Sequence, residues 1–253
     1  MAGTQSLERG ARLLRELAAR GSVGWRLSDL ARRCALDKGT AHRIMACFVR
    51  ERLVRQRTDR RYVPGPLLFE LSLALQGHAG LLAAAQSHLC AAAQALDGYV
   101  FFCLRSGADF VCAAHAGTAA MKGLEHDVGL RRPLVVSAGG MAILVALSPG
   151  ESAAVLADNL RRVQAAGEVR TKAVERMLRR SQAHGCGVHL GDIVPGVNTY
   201  GVAVTDAEGK PFASLSVAGP AGDLPPARLP AIVRVLGEHA RRLSLEAGRL
   251  VDP

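Results

Sequence analysis

Residues 27–63, LSDLARRCALDKGTAHRIMACFVRERLVRQRTDRRYV, read as a short helix, a tight turn, a second helix loaded with donors and a basic two-stranded hairpin. That order is a winged helix-turn-helix, a device that places one helix in the major groove of DNA. Charge follows the motif. Residues 1–65 hold 15 Lys/Arg against 6 Asp/Glu, a net of +9 out of the chain's formal +10, and the remaining residues are close to neutral. Positive charge confined to one quarter of a chain is a footprint for a polyanion.

In the donor-rich helix, expected from Lys38 to Glu51, Ala41, Ile44, Met45 and Phe48 form the inward stripe. Lys38, His42 and Arg43 lie off it, with Thr40 in the first turn. Arg43 can meet the guanine O6/N7 edge with two bonds, and its neighbours suit phosphates or base edges. The wing holds Arg55, Arg57, Arg60 and Arg61 within seven residues around Thr58-Asp59. Four Arg on one tip fit phosphate contact, although Arg also protects a sheet edge from aggregation. Arg26, just before the preceding helix, is a further backbone contact, and Ser28 is the expected N-cap there.

Upstream, Leu7, Ala11, Leu14, Leu17 and Ala18 recur at helical spacing as an apolar face. Downstream, Pro64-Gly65-Pro66 is a stop signal. It sets the expected domains: 1–65 for the winged helix-turn-helix, 66–79 for a linker helix and 80–253 for a second domain. In the last, strands at Tyr99–Arg105, Phe110–Ala116, Gly201–Asp206 and Pro211–Ala218 alternate with helices, which makes the class α+β. No stretch approaches the ~18 apolar residues of a membrane span, and the N-terminus lacks the apolar core of a signal peptide. Six scattered Cys without CxxC spacing read as reduced, buried thiols and not as a metal framework. The expectation is a cytoplasmic protein that holds no metal or cofactor.

Ser137-Ala138-Gly139-Gly140 precedes a helix. Small residues there let a ligand reach the backbone, and the free N–H groups of Ala138 and Gly139 make an anion site. Tight helix packing is the alternative reason for these glycines. Gly185-Cys186-Gly187 follows a helical segment and opens no new helix, so it is not a dinucleotide loop.

TQSLERGARLLRELAARG with the 27–54 block, VGLRRPLVVSAGGMAILVAL at 128–147 and GVAVTDAEGKPFASLSVAGP at 201–220 together resemble the IclR-type bacterial transcriptional regulators. The resemblance spans nearly the whole chain. It implies a small-molecule-responsive DNA-binding protein, a homodimer or homotetramer, with a sensing domain on a curved antiparallel sheet. Gly39 stands where the family usually has Ser, Met141 where it has Lys and Val135 where it often has His. An acidic pocket residue of the family aligns with His189, a frequent Cys with Thr199, and its Ser pair with Ser216 and Ala218. The resemblance thus implies an effector pocket of Ala138, Gly139, His189, Thr199 and Ser216.

His189 lies in the Gly-rich, loop-like run GCGVHLGDIVPGVNTYG, where Asp192 can orient or charge the imidazole. Donors outnumber negative charges in this set, so the expected effector is a small organic acid or similarly polar metabolite. Two other functions compete. One is an enzyme with an appended DNA-binding domain, using His189, Asp192 and Cys186 or Ser216, although GxSxG, HExxH and Walker-type loops are absent. The other is a ligand-independent architectural DNA binder, which would not need so large a second domain. Leu67, Leu68, Leu71 and Leu75, with the first helix, form the expected seam between copies and read equally as ordinary core.

Overall fold

The computed structural model describes residues 4–75, 78–117, 128–165 and 168–251. The chain divides into two units, residues 1–76 and 77–253. In the first, α1 (Gln5–Ala18) precedes α2 (Leu27–Arg33) and α3 (Lys38–Arg50). Strands β1 (Val54–Gln56) and β2 (Tyr62–Pro64) then form the wing, followed by α4 (Pro66–Ser72).

The core of this unit is Leu13, Leu17, Leu30, Cys34, Met45, Val54 and Tyr62. The buried face of α1 is Gly10, Leu13 and Leu17, whereas Leu7 is 75% exposed. The expected stripe was therefore displaced around the helix. The reason is Phe48, whose ring covers Gly10 so closely that a Cβ there would lie 2.9 Å from it. Ser28 is not the cap of α2. Extended Arg26 holds the N-cap position and its carbonyl accepts from Asp29 and Leu30 at 3.2 and 3.1 Å, leaving Ser28 inside the first turn. Trp25 exchanges backbone hydrogen bonds with Tyr62 at 3.0 and 2.8 Å, adding a third short edge to the wing. The connecting helix α4 ends at Ser72, short of the expected span of 66–79. Ser72 Oγ donates to the Phe69 carbonyl at 2.7 Å, a local bond that competes with helix continuation.

In the second unit, α5 (His78–Leu96) leads into β3 (Tyr99–Ser106), β4 (Asp109–Ala116) and β5 (Arg131–Pro133). Helices α6 (Ala138–Ala146), α7 (Pro149–Gln164) and α8 (Glu168–His184) follow. Then come β6 (Gly187–Leu190), β7 (Val197–Thr205), β8 (Pro211–Pro220) and α9 (Leu229–Val251). The six strands form one curled antiparallel sheet in the order β5-β4-β3-β8-β7-β6. The class is α+β.

Alternation along the strands separates two cores. Val100, Phe102, Tyr200 and Val217 face α5 and α9. Phe101, Cys103, Val197 and Ala218 face the layer of α6, α7 and α8. Two strands lay outside the sequence expectation. β5 has three residues, too few for alternation to show. β6 falls in the Gly-rich run read as a loop, because its glycine answers a packing demand. A Cβ on Gly187 would lie 1.7 Å from the Ala138 carbonyl oxygen, and one on Gly201 within 2.9 Å of the Ala138 backbone.

The turn between α2 and α3 holds Ala35 at φ 51°, in the left-handed region that disfavours a side chain. Ala35→Gly is expected to stabilise the first unit by about 1 kcal/mol, read from its denaturant midpoint. An unchanged or lower midpoint would show that the turn carries no such strain.

Candidate functional site

The exposed face of α3 begins at a well-built N-terminus. The Asp37 carboxylate caps it, accepting the Thr40 N–H at 2.8 Å. Hydrogen bonding to Thr40, with Arg43 nearby, keeps the Asp37 carboxyl below its ordinary range. Lys38, His42 and Arg43 are exposed together on this helix, and Arg43 Nη2 donates to Thr40 Oγ1 at 3.2 Å. Arg26 is exposed at the start of α2. On the wing, Arg55, Arg57 and Arg60 are exposed, with Arg57 3.8 Å from Asp59. Arg61 differs. It is half-buried, donates to the Gly24 carbonyl at 3.4 Å and lies 3.7 Å from Asp59, so it braces the wing from within.

In the second unit, pairing collects polar groups that sequence distance separates. His189 lies opposite Thr199, Thr199 opposite Ala218, and Ser216 opposite both Gly201 and Phe101. His189, Thr199, Ser216 and Phe101 therefore share one face. With Ala138 they line a cavity of about 50 Å³, closed also by Cys103, Phe110, Val136, Ser137, Ile193, Val194 and Val197. Arg132 lines it too, from β5 opposite Phe110. Sequence reading did not find Arg132 or the apolar walls. It is the pairing of strands that brings Arg132, Phe101 and Phe110 together.

Helix α6 opens on this cavity. Extended Ser137 caps it, its Oγ accepting the Gly140 N–H at 2.9 Å and its carbonyl the Met141 N–H at 2.9 Å. The helical pattern leaves the N–H groups of Ala138 and Gly139 without an intrahelical acceptor. Ala138 borders the cavity, but Gly139 is not among its lining residues. It packs on β8 instead, where a Cβ would lie 2.8 Å from Ser214 Oγ and 3.2 Å from Ser216 Oγ. Asn159 fixes the preceding segment, accepting the Val135 N–H at 3.1 Å and donating to the Ala108 carbonyl at 2.9 Å.

His189 is 4% exposed, and its Nε2 accepts the Ile193 N–H at 2.9 Å. Burial holds its pKa below the ordinary value, against a smaller opposite pull from Asp192. Asp192 does not orient the ring, as its position three residues away had suggested. It pairs with Arg176 at 3.2 Å and with Arg180, and accepts the Leu190 N–H at 3.0 Å. Burial opposes its charge, yet the Leu190 N–H and Arg180 outweigh that and keep its pKa low. The Cys103 thiol is raised well above its ordinary value by its hydrogen bond with Cys112 and by burial, and Cys186 is raised by burial. Neither is a thiolate nucleophile at neutral pH. Among the described residues no group of three or more His, Cys, Asp or Glu could hold a metal, and no helix is long and apolar enough to cross a membrane.

Residues 6–58 match the IclR helix-turn-helix domain, and residues 74–245 match the C-terminal domain of the bacterial transcriptional regulator IclR. The sequence is 25% identical over 248 residues to the HTH-type transcriptional repressor AllR of Klebsiella pneumoniae, covering 97% of this chain and 91% of that one. An IclR family transcriptional regulator from Brucella abortus has a similar fold, with TM-score 0.75 at 21% identity over 95% of this chain and 91% of that one. So does an IclR homologue from Microbacterium hydrocarbonoxydans complexed with 4-hydroxybenzoate, with TM-score 0.68 at 24% identity over 96% and 99%.

A buried histidine held neutral makes stability depend on pH. The folded His189 has a pKa below its unfolded value near 6.5, so the unfolded chain binds more protons below that point. The stabilisation is present above it and is lost as pH falls. Unfolding free energy is expected to fall from pH 7 to pH 5, and to fall less in His189→Gln. Equal slopes for the two proteins would show that His189 does not titrate in this way.

Proposed function

This chain belongs to the IclR family of bacterial transcriptional regulators, and we propose that it binds operator DNA through residues 1–65 and a small organic acid through residues 80–253, with 66–79 as the linker. The DNA half rests on Lys38, Thr40, His42 and Arg43 at the capped end of α3. Arg26, Arg55, Arg57 and Arg60 serve as phosphate contacts, and Arg61 holds the wing in shape. Such a protein works where the DNA is, in the cytoplasm. The family matched by both domains is one of regulators, and it displaces the enzyme alternative.

The observation that carries the acid reading is the polar lining of the cavity. His189, Thr199, Ser216, Ser137, Arg132 and the start of α6 offer donors, and no carboxylate is among the lining residues. Such a set suits an oxyanion on an apolar body packed against Phe101 and Phe110. The 4-hydroxybenzoate named for the Microbacterium homologue is an acid of this kind. Binding of effector would favour one of two arrangements that differ in affinity for DNA.

We also assign the active species as a homodimer or homotetramer. One wing and helix read too few base pairs for an operator, and paired half-sites solve this. Leu7 on α1 and Phe69, Leu71, Leu73 and Leu75 on and after α4 are exposed large apolar groups, which supports a seam there. Leu67 and Leu68 are half-buried.

Arg43→Ala is expected to lower operator affinity by about 1–3 kcal/mol and relax base preference. Arg57→Ala should weaken all sequences alike and flatten the salt slope by about one unit. Sedimentation of the same samples at micromolar concentration should show an oligomer, and a tight-binding monomer would remove the seam. For the cavity, calorimetry should detect carboxylic acids and not amines of equal size. Binding of amines alone would end the acid reading.

A further inference from the structure

One buried group in the cavity wall has half of its hydrogen bonding unaccounted for. His189 Nε2 accepts the Ile193 N–H at 2.9 Å. A ring nitrogen that accepts carries no proton, so the neutral imidazole is protonated at Nδ1. Nδ1 is buried and meets no acceptor in hydrogen-bond geometry among the described residues, although the backbone of His189 and of Val197 lies close enough to favour a ring proton. A buried N–H without an acceptor is costly, and such groups persist where something else supplies the partner. The ring itself lines the cavity, opposite Thr199 across the strand pair.

The other end of the ring holds a loop. Ile193 and Val194 line the same cavity. Asp192, between them and β6, has a side chain only 3% exposed and ties the loop to Arg176 and Arg180 of α8. His189 thus joins the cavity wall to residues 191–196, which Asp192 anchors on α8.

Taking the cavity as the effector site, we propose that the effector presents an unprotonated oxygen to Nδ1–H of a neutral His189, and that this contact tightens the hold of Nε2 on Ile193. Donation through Nδ1–H pushes electron density toward Nε2 and makes it a better acceptor, the ordinary cooperativity of chained hydrogen bonds. His189 then reports occupancy to the loop and to α8. A cationic ring would not serve, because Nε2–H would confront the Ile193 N–H. The charged groups around the ring fit a neutral form: Asp192 is already paired with Arg176 and Arg180, and Arg132 adds positive charge in the cavity wall. The class selected is an oxygen acceptor such as a carboxylate, and a ligand with only donors at that point is rejected.

The test uses the full chain labelled with ¹⁵N, at pH 7.5, with acetate and benzoate as probes and butylammonium as control. Long-range histidine spectra should show Nδ1 protonated and Nε2 bare. A carboxylate that shifts Thr199 and Val197 should also move the Nδ1 proton and slow exchange of the Ile193 amide about tenfold. An Nε2-protonated or cationic ring overturns the proposal. So does a carboxylate that shifts Thr199 and Val197 but leaves Ile193 exchange unchanged. If no carboxylate reaches those residues, or butylammonium alone does, the effector-site reading fails instead, and the tautomer result stands apart from it. His189→Gln, which keeps an acceptor and a donor, should retain the Ile193 response, and His189→Phe should lose it.

Discussion

The second unit depends on how closely the first turn of α6 is pressed onto the sheet. The Ala138 carbonyl occupies space that a Cβ on Gly187 would need, and the backbone of Ala138 and Gly139 fills the place of a Cβ on Gly201. Side chains on either strand would lift the helix off, and the cavity would open into a cleft. The seat also fixes register. A slip of one residue in β6 would turn His189 to the α5/α9 face and put Val188 in its place. Close packing and the shape of the cavity are thus one constraint on the small residues at 137–140. Gly139 serves packing while Ala138 borders the cavity.

Most helices were legible because their apolar period survives in the sequence, and α3, with its turn and wing, was legible almost to the residue. The failures have physical causes. In α1 the buried line runs through Gly10, which carries no hydrophobic signal of its own but admits Phe48. In β6, glycine looked like loop chemistry, when a glycine inside a strand often marks the approach of another backbone. Asp192 was assigned to His189 on proximity in sequence, whereas Arg176 and Arg180, on a preceding helix, claim its carboxylate. Arg132 was invisible because only the pairing of β5 with Phe110 turns it inward.

In the first unit the excess of arginine hides a division of labour. Arg33 pairs with Glu16 and Arg52 with Glu70, so these hold elements of the fold together, and Arg61 ties the wing to the Gly24 carbonyl. Exposed ion pairs of this kind add little stability each, but they fix where the side chains point. Arg43 leans on Thr40 Oγ1 and not on a carboxylate, which keeps its charge available at the end of α3. Net charge singles out this unit, and the ion pairs within it mark the arginines that brace the fold.

The chemistry of the cavity favours binding over turnover. Nucleophilic catalysis needs a hydroxyl or thiol next to a base that can take its proton. Cys103 and Cys186 are pushed away from the thiolate by their surroundings. The basic nitrogen of His189 is Nε2, and it is already spent on the Ile193 N–H, while the nitrogen left over carries a proton and can only donate. Thr199 and Ser216 therefore have a donor for a neighbour where a hydrolase would place an acceptor. An arrangement of donors around a small apolar chamber can hold an oxyanion firmly, yet it has no means of activating water or a hydroxyl against it. That is what a sensor requires, since a regulator that consumed its signal would lose the state it reports.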